Sequence, residues 1–298
     1  MQIEQLPVER DRLGEGPFWD QRVGALYWLD HLGPIVRRFV PETGEVREWR
    51  LPKKGGCACL TDDENLLIVA LADAFATLDL RNGRCEEFVA VPQPRPAIRL
   101  SDGRADRLGG FVVGSAVTDF AGQDGALYRL TPDRNVEILR DGMMLSNAIC
   151  FGRDGGEMYF TDTRSAIVHK AGYSAAGPLQ AVRPFADARS HGASPDGATV
   201  DSKGGLWVAQ IRTGDIVRFA PDGKFDFKIQ MPVPHVTSVA FGGANLDILY
   251  VTTVRETGMQ IRSDHPLAGG LFAVRGLGFT GLPEGVFNWS GGSAARGA

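Results

Sequence analysis

The sequence predicts an all-β fold, a six-bladed β-propeller, and three observations carry that reading. Six short apolar runs of strand character recur at residues 26–30, 66–70, 111–115, 158–162, 206–210 and 249–253. Their second residues, Tyr27, Leu67, Val112, Tyr159, Trp207 and Tyr250, lie 40, 45, 47, 48 and 43 residues apart, the period of a propeller blade. No segment longer than about ten residues sustains helical periodicity with caps, which argues against an α/β-barrel and an α-solenoid.

The repeating unit is plainest at residues 192–210. A turn on Pro195 and Gly197 leaves Asp196 on a loop, a short strand follows over 198–201, residues 202–205 turn the chain, and 206–210 returns apolar. Elsewhere the second run is preceded by a Gly- or Asp-containing turn, as at 22–24, 62–65, 108–110 and 154–157. A third run ending in a turn follows it: 36–40 before Pro41, 127–130 before Thr131 and 216–220 before Pro221. The sixth copy ends at 270–275, and the N-terminal run 2–8 is placed to supply the strand that closes the ring. Residues 1–287 therefore form one propeller domain, and the Gly/Ser/Ala-rich residues 288–298 are expected to be a flexible tail.

Composition sets the limits. A chain of 298 residues, 43% apolar and 23% charged, has enough core for one large β domain, and 38 glycines suit a turn-rich one. A net charge of −4 argues against nucleic acid or a polybasic membrane contact, and no run approaches the roughly 20 apolar residues of a membrane span. The first sixteen residues carry no apolar core of a signal peptide, so Cys57, Cys59, Cys85 and Cys150 read as reduced thiols in a cytoplasmic protein.

Counting back 11 or 12 residues from each reference position reaches the start of each blade's first strand, where the residues are Glu15, Gly55–Gly56, Ser101, Asn147, Asp196 and Ser238. First strands line a propeller's channel, so these positions form one ring at its mouth. Glu15, Asn147 and Asp196 make an all-oxygen donor set suited to a hard divalent cation. Arg99 and Asp102 flank Ser101. A propeller with a metal site at the mouth of its central channel is the expected architecture.

Several segments resemble, in chain order, those of the SMP-30/gluconolactonase/LRE family, which includes regucalcin and bacterial sugar lactonases. They are Leu13-Gly-Glu15-Gly-Pro-Phe-Trp19, Arg99-Leu-Ser-Asp-Gly103, Leu145-Ser-Asn147, Pro195-Asp196-Gly197 with Asp201, and Phe241-Gly-Gly243. The resemblance covers about residues 10–282. It implies Glu15, Asn147 and Asp196 as metal ligands and Arg99 as the substrate-binding arginine. The chain departs from the family where Ser101 replaces an Asn, and where no acidic substrate contact is cleanly matched near Thr118–Asp119.

The function so implied is hydrolysis of a sugar-acid lactone with one divalent cation, whether calcium, zinc, manganese, magnesium or iron. Asp196 would bind the metal through one oxygen and take a proton from water with the other. Arg99, Ser101 and Asp102 would orient the sugar. The rival readings are a calcium-binding or protein-interaction propeller without catalysis, and a metal-dependent esterase of other substrates. A monomer or small homo-oligomer is expected. Other motifs are weak: Gly192-Ala-Ser194-Pro-Asp196 is one residue short of a nucleophile elbow, and the five histidines show no metal spacing.

Overall fold

Leu26 and Trp28 face one neighbouring blade while Tyr27 and Leu29 face the other. The same division separates Leu206 and Val208 from Trp207 and Ala209. Successive side chains alternate across a strand, so a strand sandwiched between two blades must be apolar on both faces. That is why the second strand of every blade reads as an unbroken apolar run.

The computed structural model describes residues 1–291. Its strands form six sheets arranged around a channel. Each of the first five blades is built on a four-stranded antiparallel meander, to which the second adds one further strand. In the sixth, Gln2–Gln5 pairs antiparallel with Phe272–Arg275, Gln2 opposite Arg275, so the chain's start closes the ring as the sequence suggests. One apolar cluster fills each of the six blade interfaces. Outermost strands such as Glu45–Arg50 are charged and exposed, which keeps the free edges from pairing with other chains. Among the described residues no helix is long and apolar enough to cross a membrane.

The innermost strands are Gly14–Asp20, Gly55–Thr61, Ile98–Ala105, Ser146–Phe151, Pro195–Val200 and Val236–Gly242. Asp196 thus lies within a strand rather than on a preceding loop. Pro195 is its first residue, where a missing N–H costs least, and the Pro-Asp-Gly that reads as a turn is a bulge.

After Arg275 the chain crosses the far end of the channel, where the innermost strands finish. Gly281 bridges to Asp201, Glu284 pairs with Arg104 at 2.6 Å, and Val286–Phe287 lies parallel to Gly55–Thr61 as a fifth strand of the second blade. Beyond it, the Trp289 N–H donates to Asp62 Oδ1 at 3.1 Å and the Arg134 guanidinium lies 4.0 Å over the indole. The part of the expected tail at 292–298 lies outside the described residues. One end of the channel is therefore strapped shut, and the site forms at the other.

Candidate active site

Every innermost strand carries a β-bulge at the same phase. The pairing register shifts between Glu15 and Phe18, Gly55 and Cys57, Leu100 and Gly103, Asn147 and Cys150, Pro195 and Ala198, and Val236 and Ser238. A bulge re-aims side chains without breaking the strand, and six in register turn one layer of residues toward the channel mouth. Gly16 and Ala148, directly after Glu15 and Asn147, hold left-handed backbone with φ of 52° and 55°. Glycine adopts this freely, whereas at Ala148 it costs about 1–2 kcal/mol. At Gly197 the constraint is space, since a Cβ there would lie 2.0 Å from Ser238 Oγ.

Of the six residues nominated from sequence, Glu15, Arg99, Ser101, Asn147 and Asp196 line one cavity of about 350 Å³. That volume suits a small molecule. Asp102 is not brought to it. The bulge sends neighbouring side chains in opposite directions, and Asp102 Oδ2 accepts the Ile149 N–H at 3.0 Å, joining two innermost strands. Of the other ring positions, Gly56 packs against the Ser101 backbone and Ser238 against Gly197, and neither lines the cavity. Asp119 is tied to Arg95 outside it. Asp201 is saturated by the N–H groups of Lys203, Gly205, Trp207 and Arg218, a structural role at the strapped end. His191 stacks on Phe225 at 4.2 Å, away from the cavity.

Burial pushes the Glu15 carboxyl up to about 8, helped by the charge of Asp102 and opposed by Arg99. The same burial, then the charges of Glu15 and Asp102, drives Asp196 well above the usual carboxylate range. Arg99 is lowered to about 10 by burial against the pull of Glu15. Two carboxylates, the charge of Glu15 raising Asp196, share one cavity with a single guanidinium acting on Glu15, an arrangement that favours an added cation.

The third donor is oriented by a residue the sequence reading passed over. Thr163 Oγ1 donates its single proton to Pro195 O at 2.8 Å, so it can only accept from Asn147, whose Nδ2 stands 2.8 Å away. The amide is thereby fixed with Oδ1 as its free oxygen. Glu15, Asp196 and Asn147 Oδ1 then form an all-oxygen set that fits a hard divalent cation, and no His or Cys joins it. Among the described residues no group of three His, Cys, Asp or Glu side chains is otherwise placed to hold a metal. Thr163→Val is expected to weaken cation affinity about 10–100-fold by calorimetry, with Thr163→Ser near wild type. Equal affinities in the valine variant and wild type would remove the positioning role.

A pH dependence follows. The neutral Glu15 carboxyl is favoured in the fold, so its stabilising contribution is complete below about 4.5 and is lost as pH rises through about 8. The cation-free protein should lose Tm across that window, and added Ca²⁺ or Mn²⁺ should raise Tm more at pH 8 than at pH 5. Equal shifts at both pH values, read by thermal melts, would contradict the assignment of Glu15.

The profile of the SMP-30/Gluconolactonase/LRE-like region matches residues 13–255. The chain belongs to that family. It is 36% identical to the L-arabinolactonase of Azospirillum brasilense over 95% of this chain and 97% of that one. It is 34% identical to the 6-deoxy-6-sulfogluconolactonase of Pseudomonas putida, covering 92% and 94% respectively. Among solved structures, a luciferin-regenerating enzyme superposes with a TM-score of 0.87 at 28% identity, covering 96% of this chain and 99% of that one.

The cavity also has a rim supplied by turns and a loop. Arg164 follows the second strand of the fourth blade, Arg212 that of the fifth, and Thr257, Met259, Gln260 and Ile261 come from the long loop of the sixth. Arg12, paired with Glu256 at 2.7 Å, anchors that loop. The sixth-blade loop carries no strand periodicity, so the repeat does not point to its residues.

Proposed function

We propose that this lactonase-class hydrolase opens a sugar-acid lactone to the free acid, assisted by one divalent cation held by Glu15, Asn147 and Asp196. The observation that carries the reading is the convergence of those three oxygen donors with Arg99 and Ser101 in one small cavity at the open end of the channel. The relatives named for L-arabinolactone and sulfogluconolactone point to the same substrate class.

When bound, the cation supplies a Lewis acid for the lactone carbonyl. Asp196, holding the cation through one oxygen, accepts the proton of the attacking water with the other. Arg99 presents fixed N–H donors toward the oxygen that gains charge. Its Nη1 reaches Ser101 Oγ at 3.4 Å, a long contact, so the two act as a polar wall for the sugar rather than as a locked pair. Thr163 keeps the Asn147 oxygen turned inward. The sixth-blade loop, with Met259 and Ile261, limits water at the mouth.

The test is a lactone panel (arabinono-, xylono-, glucono-, galactono- and fucono-lactones), assayed with chelator-treated protein and after adding Ca²⁺, Mg²⁺, Mn²⁺, Zn²⁺ or Fe²⁺. Turnover restored by at least one cation is expected. Hydrolysis of no lactone with any of them would leave a cation-binding propeller without catalysis as the better reading.

A further inference from the structure

Arg164 and Arg212 occupy the same phase of consecutive repeats, each five residues after its blade's reference position, Tyr159 and Trp207. The corresponding residues of the first three blades are Leu32, Ala72 and Val117, and that of the sixth is Arg255, which does not line the cavity. Guanidinium groups therefore recur at this phase in consecutive blades, and those of Arg164 and Arg212 line the cavity.

Both arginines line the cavity above its carboxylate floor, and both are exposed. Among the described residues neither pairs with a carboxylate. Arg212 Nη2 donates to the neutral amide oxygen of Gln260 at 2.9 Å, and Arg164 Nη1 approaches the thioether of Met144 at 3.3 Å, a weak acceptor. Arg95, close by, shows the contrast. It is locked to Asp119 and Asp124 and is not free for a ligand.

Among the described residues, the only acidic ones lining the cavity are Glu15 and Asp196. A divalent cation balances those two, which leaves Arg164 and Arg212 without a facing carboxylate at the rim of a space of about 350 Å³. Guanidinium forks with most of their N–H donors unused match the oxygens of a phosphate, sulfonate or carboxylate, which they bind bidentately. An uncharged sugar hydroxyl would leave that charge unanswered.

We propose that Arg164 and Arg212 form a rim subsite for an anionic group on the substrate, at the end of the aldonolactone far from its carbonyl. The inference rests on the lactonase reading, which places the carbonyl at the floor and so directs the other end of the substrate to the rim. Arg164 and Arg212 then set specificity, and the floor residues perform the chemistry. The shared chemistry is an oxyanion, and phosphate, sulfonate and carboxylate are the sources to be told apart.

The experiment compares kcat/KM for gluconolactone with that for three lactones carrying a distal phosphate, sulfonate or carboxylate. The reconstituted wild type and the Arg164→Gln/Arg212→Gln double variant are both assayed. At least one anionic lactone should exceed the neutral one by about 10- to 100-fold in wild type, the equivalent of one charge-assisted hydrogen-bonded pair. The double variant should bring that ratio close to one. The anionic advantage should also shrink with added salt in wild type, because exposed charges are screened.

A second readout needs no turnover: gluconate 6-phosphate should bind the wild-type protein more tightly than gluconate, by calorimetry, and the double variant should lose the difference. Neutral and anionic lactones cleaved equally well by wild type would overturn the subsite and leave the lactonase reading intact. So would a ratio that the double variant does not change. Cleavage of no lactone would instead strike the lactonase reading, and equal binding of the two gluconates would then overturn the subsite as well.

Discussion

Asp196→Asn is expected to lower kcat by about 10²–10⁴-fold at saturating cation, the range for losing a general base. Asparagine keeps an oxygen in place for a hard cation but cannot take up a proton at neutral pH. Cation binding should therefore persist, weakened by the missing charge, while turnover does not return. Glu15→Gln separates the two duties. Glu15 sits on the same floor and its carboxyl is also raised by burial, to about 8, but it is assigned only to holding the cation. Its loss should be largely recovered at high cation concentration. The measurement is kcat against cation concentration for both variants. Full rescue of Asp196→Asn would mean that Asp196 is a ligand and the base lies elsewhere.

The two variants share a consequence for stability. Each replaces a buried carboxyl by a neutral amide, which removes part of the mutual repulsion on the floor. The cation-free variants should melt no lower than wild type, and their gain on adding cation should be smaller. A floor of this kind is costly to the empty protein and complementary to the loaded one, so activity and cation-free stability pull in opposite directions.

Much of the fold was legible because the blades impose a strict physical pattern. A strand packed on both faces has to be apolar throughout, as at 66–70, and its recurrence every 40–48 residues left few alternatives to a propeller. Closure by the N-terminal strand followed from the unpaired end of the sixth copy. The site was partly legible for the same reason. Residues at one phase of a repeat share one level of the channel, and that brought Glu15, Asn147 and Asp196 together before any coordinates. Phase alone cannot say which way a side chain points inside a bulge, so Ser101 faces the cavity while its neighbour Asp102 bonds the next innermost strand. Nor could it show the strap at 276–287, a single non-repeating crossing. Thr163, Arg164 and Arg212 sit in turns just after the second strands, and counting forward as well as back would have reached Arg164 and Arg212.

Arg99→Ala is expected to cost about 2–4 kcal/mol in kcat/KM for the best lactone, the range for removing one donor that stabilises developing negative charge. Arg99 is partly buried, and its nearest counter-charge is Glu15, so the substitution also acts on the floor. Without the guanidinium, Glu15 holds its proton more tightly, which weakens cation binding near neutral pH. Removing a positive charge beside the site also lessens repulsion of the cation, which strengthens it. These effects oppose each other at pH 7. The first effect fades as pH rises past the Glu15 value of about 8, which the loss of Arg99 raises further, whereas the second does not. Cation affinity in Arg99→Ala relative to wild type should therefore climb between pH 7 and pH 8.5, while kcat/KM there stays depressed. A cation affinity that falls in step with kcat/KM at that pH would show that Arg99 supports the cation site rather than the substrate. Unchanged kcat/KM would remove it from the reaction altogether.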